Sequence, residues 1–504
     1  MKYVAAVLEN VSNTLNPIVI KELRQAVKGR FLAAVLLIFL GIQLLTIGLF
    51  LTNDSVSWSF DAGRNIFKTL ASMLLVTCLI LVPAYTGLRL AMERADGNVD
   101  LLFISTLRPR SIIWGKFFAA LVFSALLYSV CMPFITLTYL LRGIDLPSIF
   151  VMLALNFLVI VVAIQCTILL GCLPANRVFK IILGLGWFLL ITGYIPFHIA
   201  FTTVIPGVNL LDRGIGSQIG SWRFLAVSSG VLIAGVAFIG LLARLATALI
   251  SPFSANRALP VRTYVIVVWI VTGISAAVWT AVTGNGAPIT VWAFVHIILQ
   301  CIGFFIAVSE RESLGQRVRQ TIPRRRMLRP LAFLFFSGAG GGVMWSSLMI
   351  ILTLLFAAVL SSVYTHAWSG NDLEDFMTCM AALGMLSLSY AMVASLIRRR
   401  FLANRVAGGY TWLISLVLMG CATTILPLIL FLLSGTWDKG WLIGSPIGPI
   451  VFSANGDSDL LTESAQLAAS FAVFVSALNL PWFIKQIINF HPPRKKTASN
   501  PPTD

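Results

Sequence analysis

An all-α polytopic membrane protein of about twelve transmembrane helices is the fold class that the sequence predicts, and three observations predict it. Of 504 residues, 58% are hydrophobic and 11% charged, with a mean hydropathy of +0.92, whereas a soluble domain carries about 25% charged residues. The apolar residues fall in runs of about 20, the length that crosses a hydrocarbon core as a helix. The basic residues crowd into alternate gaps between those runs, which is a topology signal.

Residues 1–30 read as a cytoplasmic amphipathic lead. Asn16 is a helix N-cap and Pro17 the first helical residue. Ile20, Leu23, Val27 and Phe31 then recur at helical spacing, with Lys21, Glu22, Arg24, Lys28 and Arg30 on the other faces. Such a helix is expected to lie in the membrane interface, apolar side down. The first apolar run starts only at Phe31 and is too long for a signal-peptide core, so no cleavable leader is expected.

Six spans are expected in a first unit (31–250), at 31–52, 69–91, 113–140, 149–172, 179–205 and 223–250. Between the fifth and sixth, residues 206–222 suit a short re-entrant or interfacial element. A second membrane region (251–490) supplies spans at 263–283, 289–308, 343–364, 376–397, 407–434 and 464–485. Pro481 is expected to kink or end the last of these. A basic loop, 309–330, follows its second span, and residues 331–342 read as an interfacial helix closed by a glycine hinge. The Pro-rich tail, 491–504, reads as disordered.

Charge orients this scheme. Thirty of the 36 lysines and arginines fall on one side, and Arg64, Lys68, Arg142, Arg213, Arg223 and Lys439 on the other. By the positive-inside rule both termini are then cytoplasmic. The net charge of +17 therefore reads as topology, and no nucleic-acid partner is expected. The seven cysteines lie in or beside apolar runs without metal or redox spacing and read as packing residues.

The longest polar break in the first quarter is Glu93–Lys116, ERADGNVDLLFISTLRPRSIIWGK. Glu93 and Arg94 leave a span, Gly97 permits a turn, and Asp100, Leu101, Leu102 and Phe103 form a short amphipathic run. Pro109 then opens a helix that carries Gly115 and Lys116. This stretch resembles the cytoplasmic coupling segment of ABC-2 type transporter permeases, E-R-x-x-G-x-(L/V)-(D/E)-L-L-x-x-(S/T)-x-L-x-P-x-x-I-x-x-G-K. It departs from the family at Arg108 and Ser111, where a small N-cap residue and a Glu are common, which removes the side chains of a capping box. The run from Asn16 and Pro17 through Lys21, Glu22, Leu23 and Arg24 similarly resembles the interfacial connecting helix of that family. The specific likeness covers about residues 16–250, and the second region is related in outline at best.

The resemblance implies a permease subunit, most often an exporter, in the inner (plasma) membrane of a bacterium. A separate cytoplasmic ABC ATPase subunit would dock on the 93–116 segment and supply the ATP, and this chain would bind no cofactor or metal itself. Leu101, Leu102 and Phe103 would form the apolar ridge for the ATPase, with Glu93, Arg94 and Asp100 as polar register. Permease units of this kind work as homodimers or heterodimers, or as paired halves of one chain. The residues themselves agree with an external energy source. The chain has no G-x-x-x-x-G-K-(S/T) phosphate loop, and the central parts of the spans carry no Asp, Glu, Lys or Arg, the groups that proton-driven carriers and ion pumps keep there. Gln43, Asn156, Gln165, Gln300 and Asn479 remain and read as interhelical glue, as His198 and His296 read as packing or hydrogen-bonding groups. Two other classes stay open: an ATPase-coupled scaffold that moves another protein without transport, and a polytopic lipid or glycan transferase.

Overall fold

The computed structural model describes residues 16–52, 62–95, 108–141, 144–173, 177–203, 220–252, 254–312, 314–363, 372–403 and 408–492. Among these residues it is predominantly helical without strands, and twelve helices are long and apolar enough to span a membrane. The chain divides into two compact units, Met1–Pro252 and Phe253–Asp504.

The first unit contains α1 (Pro17–Lys28), α2 (Arg30–Thr52), α3 (Ala62–Ala95), α4 (Pro109–Leu140), α5 (Leu146–Gly171), α6 (Arg177–Thr203) and α7 (Trp222–Ile250). Local chemistry sets several of the starts. Asn16 Oδ1 accepts from the Ile18 N–H at 3.1 Å, and Ser221 Oγ accepts from the Phe224 N–H at 3.2 Å, each satisfying a donor that the first helical turn leaves open. Arg108 caps α4 without a side-chain hydrogen bond, as its departure from the capping pattern leads one to expect. The core is the α3–α4–α5 cluster around Leu74, Cys78, Leu79, Leu127, Ile160 and Ile164. Between lipid-facing helices burial has no hydrophobic drive, so close packing must hold them. A Cβ on Gly87 would sit 3.1 Å from Thr167 Cβ, and one on Gly171 would sit 3.2 Å from the Gly87 carbonyl.

The second unit contains α8 (Leu259–Thr283), α9 (Ala287–Val308), α10 (Gln316–Gln320), α11 (Arg329–Phe335), α12 (Ala339–Val363), α13 (Asp372–Phe401), α14 (Thr411–Gly420), α15 (Leu426–Ser434), α16 (Gly448–Asn455) and α17 (Ser458–Asn489). A π-helical turn, Cys421–Ile425, joins α14 to α15, so 408–434 crosses as one span. In both units the second, third and fourth spans pack on one another. The sixth lies against the third and fourth, and the fifth against the second and fourth. The two units thus share a packing scheme although they do not share the sequence motifs.

Three expectations need correction. The second and last spans are much longer than their apolar runs, Ala62–Ala95 and Ser458–Asn489, because hydropathy marks the hydrocarbon boundary while the helix continues through polar residues beyond it. Pro481 does not end the last span, which runs eight residues past it; a helix in a bundle tolerates Pro where neighbours re-satisfy the freed carbonyl. Gly340, Gly341 and Gly342 are no hinge but the first turn of α12. A Cβ on Gly342 would lie 2.6 Å from Ala307 Cβ, and one on Gly341 would lie 2.2 Å from the Phe333 carbonyl oxygen, so glycine is required there for close approach. The expected elements at 206–222 and 491–504 fall largely outside the described residues.

The uncharged polar residues of the spans do join helices. Gln43 Nε2 donates to Cys131 Sγ at 3.1 Å, linking α2 to α4. His198 Nε2 meets Asn156 Oδ1 at 2.9 Å, linking α6 to α5, and His296 Nε2 meets Thr272 Oγ1 at 3.0 Å, linking α9 to α8. Asn479 is bonded to Arg399. Gln165 and Gln300 differ, since neither side-chain atom of Gln165, nor Gln300 Nε2, has a hydrogen-bond partner among the described residues.

Candidate functional site

The residues singled out by spacing converge where α1 crosses the ends of α3 and α4. Lys116, about two turns into α4, is 4% exposed. Its Nζ donates to Glu22 Oε1 of α1 at 2.7 Å and lies 2.8 Å from Glu93 Oε2 at the end of α3. One ammonium therefore bridges two carboxylates on two other helices. Arg89, a turn before Glu93, sets its Nε 3.3 Å from Glu22 Oε2, donates to Tyr85 Oη at 2.5 Å and also bonds Gln25 of α1. Lys21 lies 3.6 Å from Glu93 on the exposed edge. Three cations thus face two carboxylates, and each buried charge has an opposite partner, without which burial would be prohibitive.

Backbone contacts complete the clamp. Asn16 caps α1 through Oδ1 while its Nδ2 donates to the Ser111 carbonyl of α4 at 2.5 Å. A Cβ added to Gly115 would lie 2.7 Å from Ile18 Cβ, 2.8 Å from Ile18 Cγ2 and 3.1 Å from Asn16 Nδ2. Gly115 is therefore the seat of α1. Gly115→Ala is expected to force α1 outward at a cost of about 1–3 kcal/mol. Because Ile18 Cβ is itself the nearest atom, Ile18→Ala should not restore stability, and thermal unfolding of the single and double variants in detergent checks both statements.

Helix α1 has a buried face besides the expected membrane-facing stripe. Ile18, Val19 and Glu22 form that buried face, while in the stripe Val27 is 73% exposed and Ile20 and Leu23 are half-buried. Glu22 was expected off the apolar stripe, among the charged residues of the other faces. It points inward because Lys116 and Arg89 compensate its charge there. Lys21 and Arg24 are exposed as expected.

Of the coupling-segment residues, Glu93, Pro109, Gly115 and Lys116 are placed by the structure. Pro109 begins α4, and the other three belong to the clamp. Arg94 is in the last turn of α3, and Gly97, Asp100, Leu101, Leu102 and Phe103 lie outside the described residues. Sequence reasoning missed Arg89, Gln25, Ile18 and Ser111. Arg89 alone left a signal, four residues before Glu93 and hence on the same helical face.

The second unit carries a comparable lock at the same point in its packing scheme. Arg262 of α8 pairs both oxygens of Glu310, just past α9, at 3.0 and 3.1 Å, and donates to the Leu334 and Phe336 carbonyls at 2.8 Å each. Glu310 Oε2 accepts from the Gly338 N–H at 2.5 Å. In both units, then, a carboxylate at the end of the second span is tied to a buried base from another helix. Among the described residues no three His, Cys, Asp or Glu side chains gather as a metal site. Comparison with protein-family models, with curated proteins and with solved structures gives no match for the chain.

Proposed function

We propose that the chain is the membrane subunit of an ATP-driven transporter resembling the ABC-2 type permeases, worked by a separate cytoplasmic ATPase that docks on residues 97–105. The observation that carries this reading is the clamp. Asn16, Glu22, Glu93, Gly115 and Lys116, the positions that bear the resemblance, are up to about a hundred residues apart, yet they meet in one cluster. That cluster holds both ends of the intervening segment, since Glu93 precedes it and Lys116 follows it. A segment fixed at both roots can pass force from a bound ATPase to two spans, which a loosely tethered loop cannot. The buried charges serve that rigidity, and α1 acts as the brace that joins the two roots.

The absence of a phosphate loop makes the ATPase a separate subunit. Purified chain alone is expected to show no ATP hydrolysis. Activity should appear only with a copurifying subunit, identified by mass spectrometry, that carries a G-x-x-x-x-G-K-(S/T) loop. Hydrolysis proportional to the chain's own concentration, with no such subunit in the preparation, would contradict the proposal.

A further inference from the structure

We infer that residues 324–331 of the second unit form a binding surface for anionic lipid headgroups, with Met327, Leu328 and Leu331 seated among the lipids and Arg324, Arg325 and Arg326 on their phosphates. Met327 is 94% exposed, Leu331 56% and Leu328 45%, and the three arginines beside them are exposed as well. The opposite side of the segment is anchored. Ile322 and Ala332 pack with Phe490 at the end of α17, and Phe333 and Phe336 stack edge-on against the Phe490 ring. The outward display of apolar side chains is thus built into a fixed element and is not a frayed end.

The level of that element selects the occupant. Arg262, in the first turn of α8, bonds the Leu334 and Phe336 carbonyls, while Glu310, two residues past α9, bonds the Gly338 N–H. Gly340 N–H of α12 donates to Gln486 Oε1 near the end of α17. The C-terminal end of α11 and the turn after it are therefore held at the ends of four membrane spans, where headgroups lie. Charge makes the same selection. The nearby carboxylates Glu310 and Glu312 are paired with Arg262 and Arg398, so they do not neutralise the three arginines. Exposed apolar groups interleaved with arginines at this depth match an anionic bilayer surface.

Nitroxide labels on Met327→Cys and, independently, Leu331→Cys test the inference in the full chain. Nanodiscs of phosphatidylcholine are compared with nanodiscs containing increasing phosphatidylglycerol, and labelled protein without either substitution sets the background. Both labels are expected to become oxygen-accessible and shielded from a water-soluble nickel chelate as phosphatidylglycerol rises. Arg324→Gln/Arg325→Gln/Arg326→Gln should weaken that response by about fivefold per arginine removed. Labels that stay nickel-accessible in anionic nanodiscs overturn the inference. So does shielding that ignores both lipid charge and the triple change, or shielding that appears only when a cytoplasmic protein partner is added.

Discussion

Lys116→Met is expected to destabilise the first unit by about 3 kcal/mol, the lower end of the range for removing one member of a buried ion pair. Among the described residues Lys116 is the cation in direct contact with both Glu22 and Glu93, at 2.7 and 2.8 Å. Without it Glu93 keeps the more distant, half-exposed Lys21, and Glu22 keeps Arg89 at 3.3 Å. That remaining pair is why the loss should not reach the upper end. The cost arises from carboxylates left short of compensation, not from lost attraction alone. Glu22→Gln/Glu93→Gln/Lys116→Met, which removes all three charges, should therefore recover most of the stability. Thermal unfolding in detergent decides the matter: a single variant as stable as the wild type, or no recovery in the triple variant, would show that the cluster is not a charge clamp. A damaged clamp should also lower recovery of any partner that depends on a rigid 97–105 segment.

What the sequence made legible follows from what each signal measures. Run length and charge bias locate spans because they report the hydrocarbon core and its flanks, so twelve spans were readable while the extension of α3 and α17 through polar turns was not. The buried face of α1 was harder. Its sequence carries two apolar sets, Ile18 with Val19 and Ile20 with Leu23 and Val27, and periodicity cannot say which one meets the bundle. The answer lies in Lys116, 94 residues away, whose ammonium makes an inward Glu22 tolerable. Glu93, Gly115 and Lys116 were recognisable as a pattern, but their spacing does not reveal that they bind α1. The second unit's lock left still less trace. Arg262 bonds two backbone carbonyls, Leu334 and Phe336, and carbonyls have no residue identity to read.

The second large effect concerns Leu101 and Leu102. If they form the apolar ridge that enters an ATPase groove, Leu101→Asp/Leu102→Asp puts two carboxylates where they must be desolvated without partners, at several kcal/mol each. An interface that depends on a few central residues cannot absorb that. The same change at a solvated loop should stay within about 0.5 kcal/mol per residue, so insertion, yield and thermal unfolding of the chain itself should match the wild type. Leu101 and Leu102 lie between the two roots that the Glu22–Lys116–Glu93 clamp holds, so the variant separates docking from the integrity of the clamp. The most direct measurement is therefore recovery of the phosphate-loop-bearing ATPase subunit with wild type and with this double variant, purified side by side from the native membrane. The account predicts stoichiometric ATPase with the wild type and its loss with the variant at equal yield of the chain; equal recovery from both would contradict it.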